Sequence, residues 1–178
     1  MTIALAKRIP IVQGDFAVSD QEGAVISTVL GSCVAACVYD PVARVGGMNH
    51  FLLPGNPDRG GSDQSRRYGV FLMEKLLNAM FEKGALRKRI QVKLFGGAQV
   101  LDARSDTGRK NAEFATNFVR NEGLELVTTS LGGLQGRRIE FEPYTGKARQ
   151  KFIGMAVPEV EPKSIKTELE SAGDVDFF

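Results

Sequence analysis

Residues that form disulfides or bind metal ions are scarce in this sequence. Its 178 residues include only two cysteines, Cys33 and Cys37, and one histidine, His50. Two thiols at this separation are too few for a disulfide scaffold and do not match the Cys-x-x-Cys spacing of redox and zinc sites. A zinc site would need further thiol or imidazole ligands. We therefore expect reduced thiols, no metal and no cofactor.

The chain also lacks long apolar runs and a large excess of charge. No run of about 18 apolar residues occurs, so we expect no membrane insertion, and residues 1–10 are too short for a secretory signal. The 23 basic and 21 acidic residues leave a formal charge of +2, far from the strongly basic balance typical of nucleic-acid binding. The composition predicts a cytoplasmic protein that does not bind nucleic acid.

What the chain does have is apolar material for a core. Hydrophobic residues make up 43% of the sequence, which in a chain of this length indicates one domain. Runs rich in β-branched residues predict about eight short strands. They cover residues 16–18, 24–30, 34–39, 48–53, 90–95, 124–131, 138–142 and 150–155.

Two segments have helical periodicity instead. One helix is predicted over residues 66–83 and a second over 111–122, each followed by a glycine that favours a helix end. The apolar residues at helical spacing are predicted to face the core. They are Val70, Met73, Leu77 and Met80 in the first helix, and Ala115, Phe118 and Val119 in the second.

Polar and glycine-rich stretches divide these elements. Asp40-Pro41 and Gly46-Gly47 bracket a predicted turn, so the strands on either side form a hairpin. Residues 56–65 predict a mobile surface loop. Beyond Pro158 the chain becomes rich in Glu, Lys, Pro and Ser, so we assign residues 1–157 to one domain and 158–178 to a polar tail. The final Phe177-Phe178 is either a docking peptide or a frayed end that touches its own domain.

Cys33 and His50 are the residues best suited to chemistry. A thiol that hydrolyses amides needs a base to take its proton, donors for the oxyanion and a group that orients the base. The midpoint between Cys33 and His50 falls inside the predicted hairpin turn. A hairpin therefore brings them together, with Cβ atoms about 5 Å apart if directly opposite and about 7–8 Å apart if diagonal. An imidazolium beside the thiol would lower the thiol pKa.

The same residues also have structural explanations. A lone cysteine in an apolar strand is usually a small buried hydrophobe, which is our interpretation of Cys37. A lone histidine flanked by Met48 and Phe51 is more often a hydrogen-bonded core residue. Spacing alone favours the structural interpretation, and Ser27 and Thr28 would then be ordinary strand residues.

Glycines indicate where a substrate would bind. Gly31-Ser32 allow the backbone to turn and to aim N–H groups, including that of Cys33, at an oxyanion. Gly96-Gly97 would let a second segment approach the same cleft, although such pairs are more often ordinary turns. The candidate substrate-binding residues are Gly31, Ser32, Phe95, Gly96 and Gly97.

Several motifs resemble the CheD family of bacterial chemotaxis proteins. The most specific are residues 28–34, Thr-Val-Leu-Gly-Ser-Cys-Val, and residues 47–54, Gly-Met-Asn-His-Phe-Leu-Leu-Pro. Further motifs stand in the family's order over most of residues 13–157, and the tail is not covered. They are Asp40-Pro41, Arg67-Tyr68-Gly69, residues 93–98, Gly108 with Asn111, Leu131-Gly132-Gly133 with Gly136-Arg137, and Tyr144-Thr145-Gly146.

The resemblance implies a chemoreceptor glutamine deamidase, which converts glutamine side chains on receptor cytoplasmic helices to glutamate and releases ammonia. It implies an α/β (α+β) sandwich related to bacterial toxin deamidases, with mainly antiparallel strands and about two helices on one face. It also implies that Cys33 is the nucleophile and His50 the base. Where family members place an orienting threonine, this chain has Ser27, with Thr28 beside it. Position favours Ser27 and residue type favours Thr28.

The implied reaction passes through a Cys33 thioester, which water activated by His50 hydrolyses. Receptor methyl esters are a candidate second substrate for the same cleft. The implied partners are the cytoplasmic domains of chemoreceptors, with a CheC-type phosphatase as a further candidate. The main alternative is a non-enzymatic module that binds receptors or that phosphatase while Cys33 and His50 are structural, and a cysteine peptidase is a third hypothesis.

Overall fold

Several strands show alternating burial along the chain, whereas the central ones are buried almost throughout. The computed structural model describes residues 6–54, 61–100, 104–154 and 175–178. Within them lie ten strands. They are β1 (Arg8–Pro10), β2 (Phe16–Ser19), β3 (Val25–Leu30), β4 (Val34–Asp40), β5 (Val45–Asn49), β6 (Gln91–Gly96), β7 (Glu125–Leu131), β8 (Gly136–Glu142), β9 (Lys147–Ile153) and β10 (Val175–Phe177).

The strands form two five-stranded sheets. Sheet A has the order β1-β3-β8-β9-β10 and sheet B the order β2-β5-β4-β6-β7. Neighbouring strands are antiparallel except for the parallel pairs β1–β3 and β6–β7. The expected sandwich of mainly antiparallel strands is therefore confirmed.

Two helices, α1 (Gly61–Glu82) and α2 (Thr107–Asn121), cover the face of sheet B that points away from sheet A. The central strand β4 has apolar side chains on both faces. Ala36 packs with the helices, whereas Ala35 and Cys37 pack with residues of sheet A. Both helices thus lie on one face, as predicted, and Cys37 is a buried core residue, also as predicted. None of the described helices is long and apolar enough to cross a membrane.

Both helices begin earlier than their apolar periodicity indicates. The predicted core residues of α2 are buried, but the helix starts at Thr107 rather than at 111. Helix α1 starts at Gly61, so the expected loop over residues 56–65 is wrong for 61–65; residues 55–60 lie outside the described part. The first turns of each helix are polar and carry no apolar stripe, and so the periodicity cannot reveal them.

The hairpin turn is also shorter than predicted. Residues 41–44 form the turn, and Gly46 and Gly47 belong to β5. A side chain at Gly46 would overlap the backbone of Pro143, and one at Gly47 would overlap Leu76 and the side chain of Val18. These glycines therefore permit close packing of β5 between neighbouring layers rather than closing a turn.

The C-terminal end of the chain adds an edge strand to sheet A. Strand β10 pairs with β9, and the backbone groups of Phe178 and Ala148 exchange two hydrogen bonds. The Phe178 ring lies 5.4 Å, centroid to centroid, from that of Phe95. The end of the chain therefore touches its own domain. Residues 155–174 lie outside the described part, and the division of the chain at 157 and 158 stays a prediction.

Asp40 fixes the turn end of the β4–β5 hairpin. Its carboxylate is fully buried and accepts hydrogen bonds from the backbone N–H groups of Val42, Ala43 and Leu86 and from Arg89 Nε, at 2.9–3.0 Å. Burial alone would raise the pKa of this carboxyl, but these hydrogen bonds, the one from Arg89 foremost, lower the pKa to about 2. Asp40 is therefore ionised and fully partnered.

We expect Asp40→Ala to lower the free energy of unfolding by about 3–5 kcal/mol, because it leaves a partly buried guanidinium and three N–H groups without their acceptor. Urea denaturation at neutral pH measures the change. Asp20→Ala is the control: Asp20 pairs with Lys83 at the surface, where such a pair contributes at most about 1 kcal/mol. Equal losses for the two variants would contradict the role given to Asp40.

Candidate active site

Cys33 and His50 lie where the β4–β5 hairpin opens. The ladder pairs Cys37 with Met48, and an isolated bridge in the same register pairs Val34 with Phe51. This register places His50 opposite Ala35, which lies two positions after Cys33. The side chains of Cys33 and His50 are therefore diagonal neighbours on one face of the hairpin. Cβ atoms in that relation are about 7–8 Å apart. Cys33 packs against the core between the sheets, which identifies the face.

The backbone of His50 is held by the segment that precedes β2 rather than by β4. Its N–H donates to the Asp15 carbonyl at 3.1 Å, and its carbonyl accepts from Gly14 N at 2.8 Å. On β4, the N–H of Ala36 donates to the side-chain Oδ1 of the buried Asn49 at 3.0 Å. The Asn49 side chain thus replaces a backbone acceptor of the ladder at this point. The N–H of Ala36 is therefore paired even though the regular β4–β5 ladder ends before His50.

The His50 ring is oriented by a chain of two hydrogen bonds. Thr28 Oγ1 donates to the Ile11 carbonyl at 2.8 Å and lies 2.7 Å from His50 Nδ1. A hydroxyl has one proton, and here that proton is directed at Ile11. Nδ1 must therefore carry the imidazole proton and donate to Thr28. The other ring nitrogen, Nε2, is left deprotonated and buried, and no described residue hydrogen-bonds it.

Strand alternation separates Thr28 from Ser27. Thr28 is buried, like Ile26 and Leu30 on the same face of β3. Ser27 points to the opposite face of sheet A and is partly exposed. Only one of the two candidate hydroxyls, that of Thr28, therefore contacts the His50 ring.

Both reactive groups are neutral in the resting protein. Burial lowers the pKa of His50 to about 4, although the Asp15 carboxylate opposes the shift. Burial raises the pKa of the half-buried Cys33 thiol to about 11, and a hydrogen bond from its own backbone N–H acts in the opposite direction. The expected lowering of the thiol pKa by an imidazolium is thus not present. The arrangement is a neutral thiol near a neutral imidazole.

The backbone around Cys33 is supported by the turn after β6. Gly97 N donates to the Cys33 carbonyl at 2.7 Å, and Ala98 N donates to the Gly31 carbonyl at 3.0 Å. Gly96 has φ 111°, and any Cβ there would overlap the Cys33 carbonyl oxygen. The predicted approach of Gly96-Gly97 to Cys33 is present, and glycine is required for it.

The five residues predicted to bind substrate therefore differ in position. Gly31 and Ser32 directly precede Cys33, and Gly96 and Gly97 lie against its backbone. Gly97 also lines a cavity of about 480 Å³ beside α2. Phe95 is fully buried in the core between the sheets. Their roles toward a substrate stay predictions.

The site contains two side chains that sequence reasoning did not select. The exposed Gln13 places Oε1 3.9 Å from Cys33 Sγ, and the fully buried Asn111 of α2 hydrogen-bonds the backbone at Ser32 and at Leu53. Asn111 belongs to the motif of Gly108 with Asn111 quoted above, and this motif is the feature of the sequence that could have pointed to it. Among the described residues no group of three His, Cys, Asp or Glu side chains is placed to hold a metal ion.

The fold and the site together define an α+β sandwich protein with a cysteine and a hydroxyl-bound histidine at the open end of a hairpin. The chain belongs to the CheD family: a family model described as CheD chemotactic sensory transduction matches residues 52–152. The match to one curated relative covers the whole chain, which includes the segments of Cys33 and His50.

Three of these relatives are each named "Probable chemoreceptor glutamine deamidase CheD". The protein from Rhizobium leguminosarum bv. trifolii is 46% identical over 96% of this chain and 98% of its own length. That from Agrobacterium fabrum is 44% identical over both full lengths, and that from Rhizobium johnstonii is 50% identical over 84% of this chain and 82% of its own.

Similarity to solved structures is weaker. The crystal structure of the Bacillus licheniformis hypothetical protein YfiH matches 65% of this chain and 50% of its own, with a TM-score of 0.45 and 12% identity. A second crystal structure, the Neisseria meningitidis protein NMB0706, has a TM-score of 0.43 at 11% identity and covers 67% of this chain and 53% of its own.

The buried His50 predicts a specific loss of stability in acid. Its pKa is about 4 in the folded protein against an ordinary 6.5, so the unfolded chain binds the proton first as the pH falls. Between these values the free energy of unfolding should fall by up to about 1.4 kcal/mol per pH unit, or about 2–3 kcal/mol in all. Above pH 6.5 this contribution should be constant.

Urea denaturation from pH 7 to pH 4 measures this loss, with His50→Asn as the comparison. The variant keeps an N–H for Thr28 but does not titrate in this range. The difference in free energy of unfolding between wild type and variant should therefore shift against the wild type in acid. A difference that is independent of pH would show that His50 is not buried in its neutral form.

Proposed function

We propose that this chain is a chemoreceptor glutamine deamidase that acts in the cytoplasm on the cytoplasmic helices of its receptor partners. Membership of the CheD family and the names of the relatives support the activity. The observation that carries the mechanism is the deprotonated Nε2 of His50, which has no hydrogen-bond partner in the described part of the chain and lies on the same hairpin face as the Cys33 thiol. A CheC-type phosphatase as a further partner stays a prediction.

In the first half of the reaction, the Cys33 thiol transfers its proton to His50 Nε2 and Sγ attacks the carboxamide carbon of a receptor glutamine. The carbonyl oxygen becomes an oxyanion, to which the Cys33 N–H is the nearest backbone donor. His50 then gives its proton to the leaving nitrogen. The C–N bond breaks, ammonia departs, and a thioester remains on Cys33.

In the second half, His50 Nε2 takes a proton from water, and the hydroxide attacks the thioester carbon. The C–S bond breaks, the proton returns from His50 to sulfur, and the side chain leaves as glutamate. Thr28 holds Nδ1 protonated throughout, so that Nε2 is always the nitrogen that exchanges the proton. The resting enzyme needs no ion pair, because the proton moves from sulfur to nitrogen only as the substrate is attacked.

The first test is conversion of receptor glutamine. Incubation of a receptor cytoplasmic fragment with wild type should raise the mass of modified peptides by about 1 Da as NH₂ is replaced by OH, and Cys33→Ala should abolish this change. Cys37→Ala is the matched control, because Cys37 is buried in the core and should leave conversion intact. Equal conversion by wild type and Cys33→Ala would exclude the mechanism. Receptor binding by wild type without conversion would favour the non-enzymatic adaptor.

The second test separates the two hydroxyls. Thr28→Val removes the acceptor for Nδ1–H and should lower kcat about 10- to 100-fold, since a general base that loses its orientation loses much of its effect. Ser27→Ala should change kcat less than about twofold, because Ser27 faces away from the ring and surface substitutions have small effects. The assay is the same peptide conversion under saturating receptor fragment. A larger effect for Ser27→Ala would reverse the assignment.

A further inference from the structure

The amide of Asn111 joins the two segments that carry Cys33 and His50. Asn111 is fully buried in α2. Its Nδ2 donates to the Ser32 carbonyl at 2.8 Å, and its Oδ1 accepts from Leu53 N at 3.0 Å. Both groups of the amide are therefore used, one on each side of the site.

These bonds lie where the sheet itself gives little support. The continuous β4–β5 pairing ends at Cys37 and Met48. Beyond it, the described residues of the two segments are joined by the bond from Ala36 N to Asn49 Oδ1 and by one isolated bridge, between Val34 and Phe51. Asn111 adds a connection just past that bridge, from the helix layer. It thereby limits how far the two segments can separate.

The bond to Ser32 also sets the direction of the Cys33 N–H. In a planar trans peptide the carbonyl and the N–H point in opposite directions. The Ser32 carbonyl is drawn toward α2, so the N–H of Cys33 is directed away from the helix layer. The Cys33 side chain lies on that other side, against the core between the sheets, where the backbone N–H of Cys33 acts to lower the pKa of its thiol.

We propose that Asn111 is a positioning residue that holds the Ser32–Cys33 peptide with its N–H facing the thiolate and the oxyanion, and keeps the nucleophile segment beside the histidine segment. This inference rests on the proposed deamidase mechanism. Asn111 touches neither the substrate nor the reacting atoms, and acts through the backbone of Ser32 and Leu53.

The principal test is Asn111→Ser, which is too short to make both bonds but leaves room for water. We expect kcat for receptor glutamine to fall about 10- to 100-fold with KM within about threefold of wild type, because a misplaced oxyanion donor weakens only the transition state. The pH profile of Cys33 alkylation by iodoacetamide, followed by mass spectrometry, should move to higher pH, because the thiolate loses its N–H donor.

Asn121→Ser is the control, because it is the same substitution at an exposed position of the same helix; neither kcat nor the alkylation profile should change. Rates are expressed per folded protein, measured by circular dichroism. A purely structural role for Asn111 would lower the melting temperature but leave both readouts at wild-type values, and that result would overturn the proposal.

Asn111→Asp serves if the serine variant does not fold, because it preserves side-chain size. Its carboxyl group can donate to the Ser32 carbonyl only when protonated, so kcat relative to wild type should rise as the pH is lowered. A ratio near one at every pH would overturn the proposal.

Failure of this inference is distinguishable from failure of the proposed function. Conversion that survives Cys33→Ala would reject the deamidase mechanism itself. Loss of conversion in Cys33→Ala, together with wild-type kcat and alkylation profile in the Asn111 variants, would reject only the positioning role.

Discussion

The hydrogen bond between Thr28 and His50 is the interaction on which the arrangement of this site depends. It lies between two sheets whose facing surfaces are otherwise mainly apolar, where an unpaired polar group is costly. Thr28 belongs to sheet A and His50 follows a strand of sheet B, so the bond also fixes the sheets relative to each other. Because Thr28 donates its hydroxyl proton to the Ile11 carbonyl, the bond determines the tautomer of the imidazole as well as the orientation of the ring. One contact thus links sheet packing to the protonation state of the His50 imidazole.

The three layers contribute different parts of the site. Sheet B carries the thiol and the imidazole, sheet A supplies the hydroxyl that orients the imidazole, and the helix layer supports the backbone at Ser32 and Leu53 through Asn111. The turn after β6 supports the Cys33 carbonyl from within sheet B. No single supersecondary unit contains all of these groups, so the site forms only where the three layers meet.

Sequence reasoning was most successful where one periodic signal determined one feature. Apolar spacing located both helices and most strands, and the short separation of Cys33 and His50 indicated a shared hairpin. Alternation along β3 also contained the answer to the Ser27 and Thr28 question, since Thr28 has the same parity as the apolar Ile26 and Leu30. The hairpin turn was misjudged because glycines within β5 serve packing against Pro143 and Leu76, which are distant in the sequence.

Other features were beyond local patterns. Asn111 makes both of its bonds to backbone groups, and backbone groups leave no residue signature at Ser32 or Leu53. Similarly, the pKa values of Cys33 and His50 depend on their burial in the folded protein, so proximity in the sequence could not show that both groups are neutral.

The two ends of the β4–β5 hairpin are built differently, and this has a mechanical consequence. Near the turn, Asp40 and a continuous ladder fix the strands. At the far end, the described residues are joined by one isolated bridge, by the Asn49 side chain in place of one ladder bond, and by the two hydrogen bonds of Asn111. Local opening costs least where the fewest bonds must break. Separation of the two segments is therefore expected to begin at the end that carries Cys33 and His50, while the turn end preserves the register that realigns them.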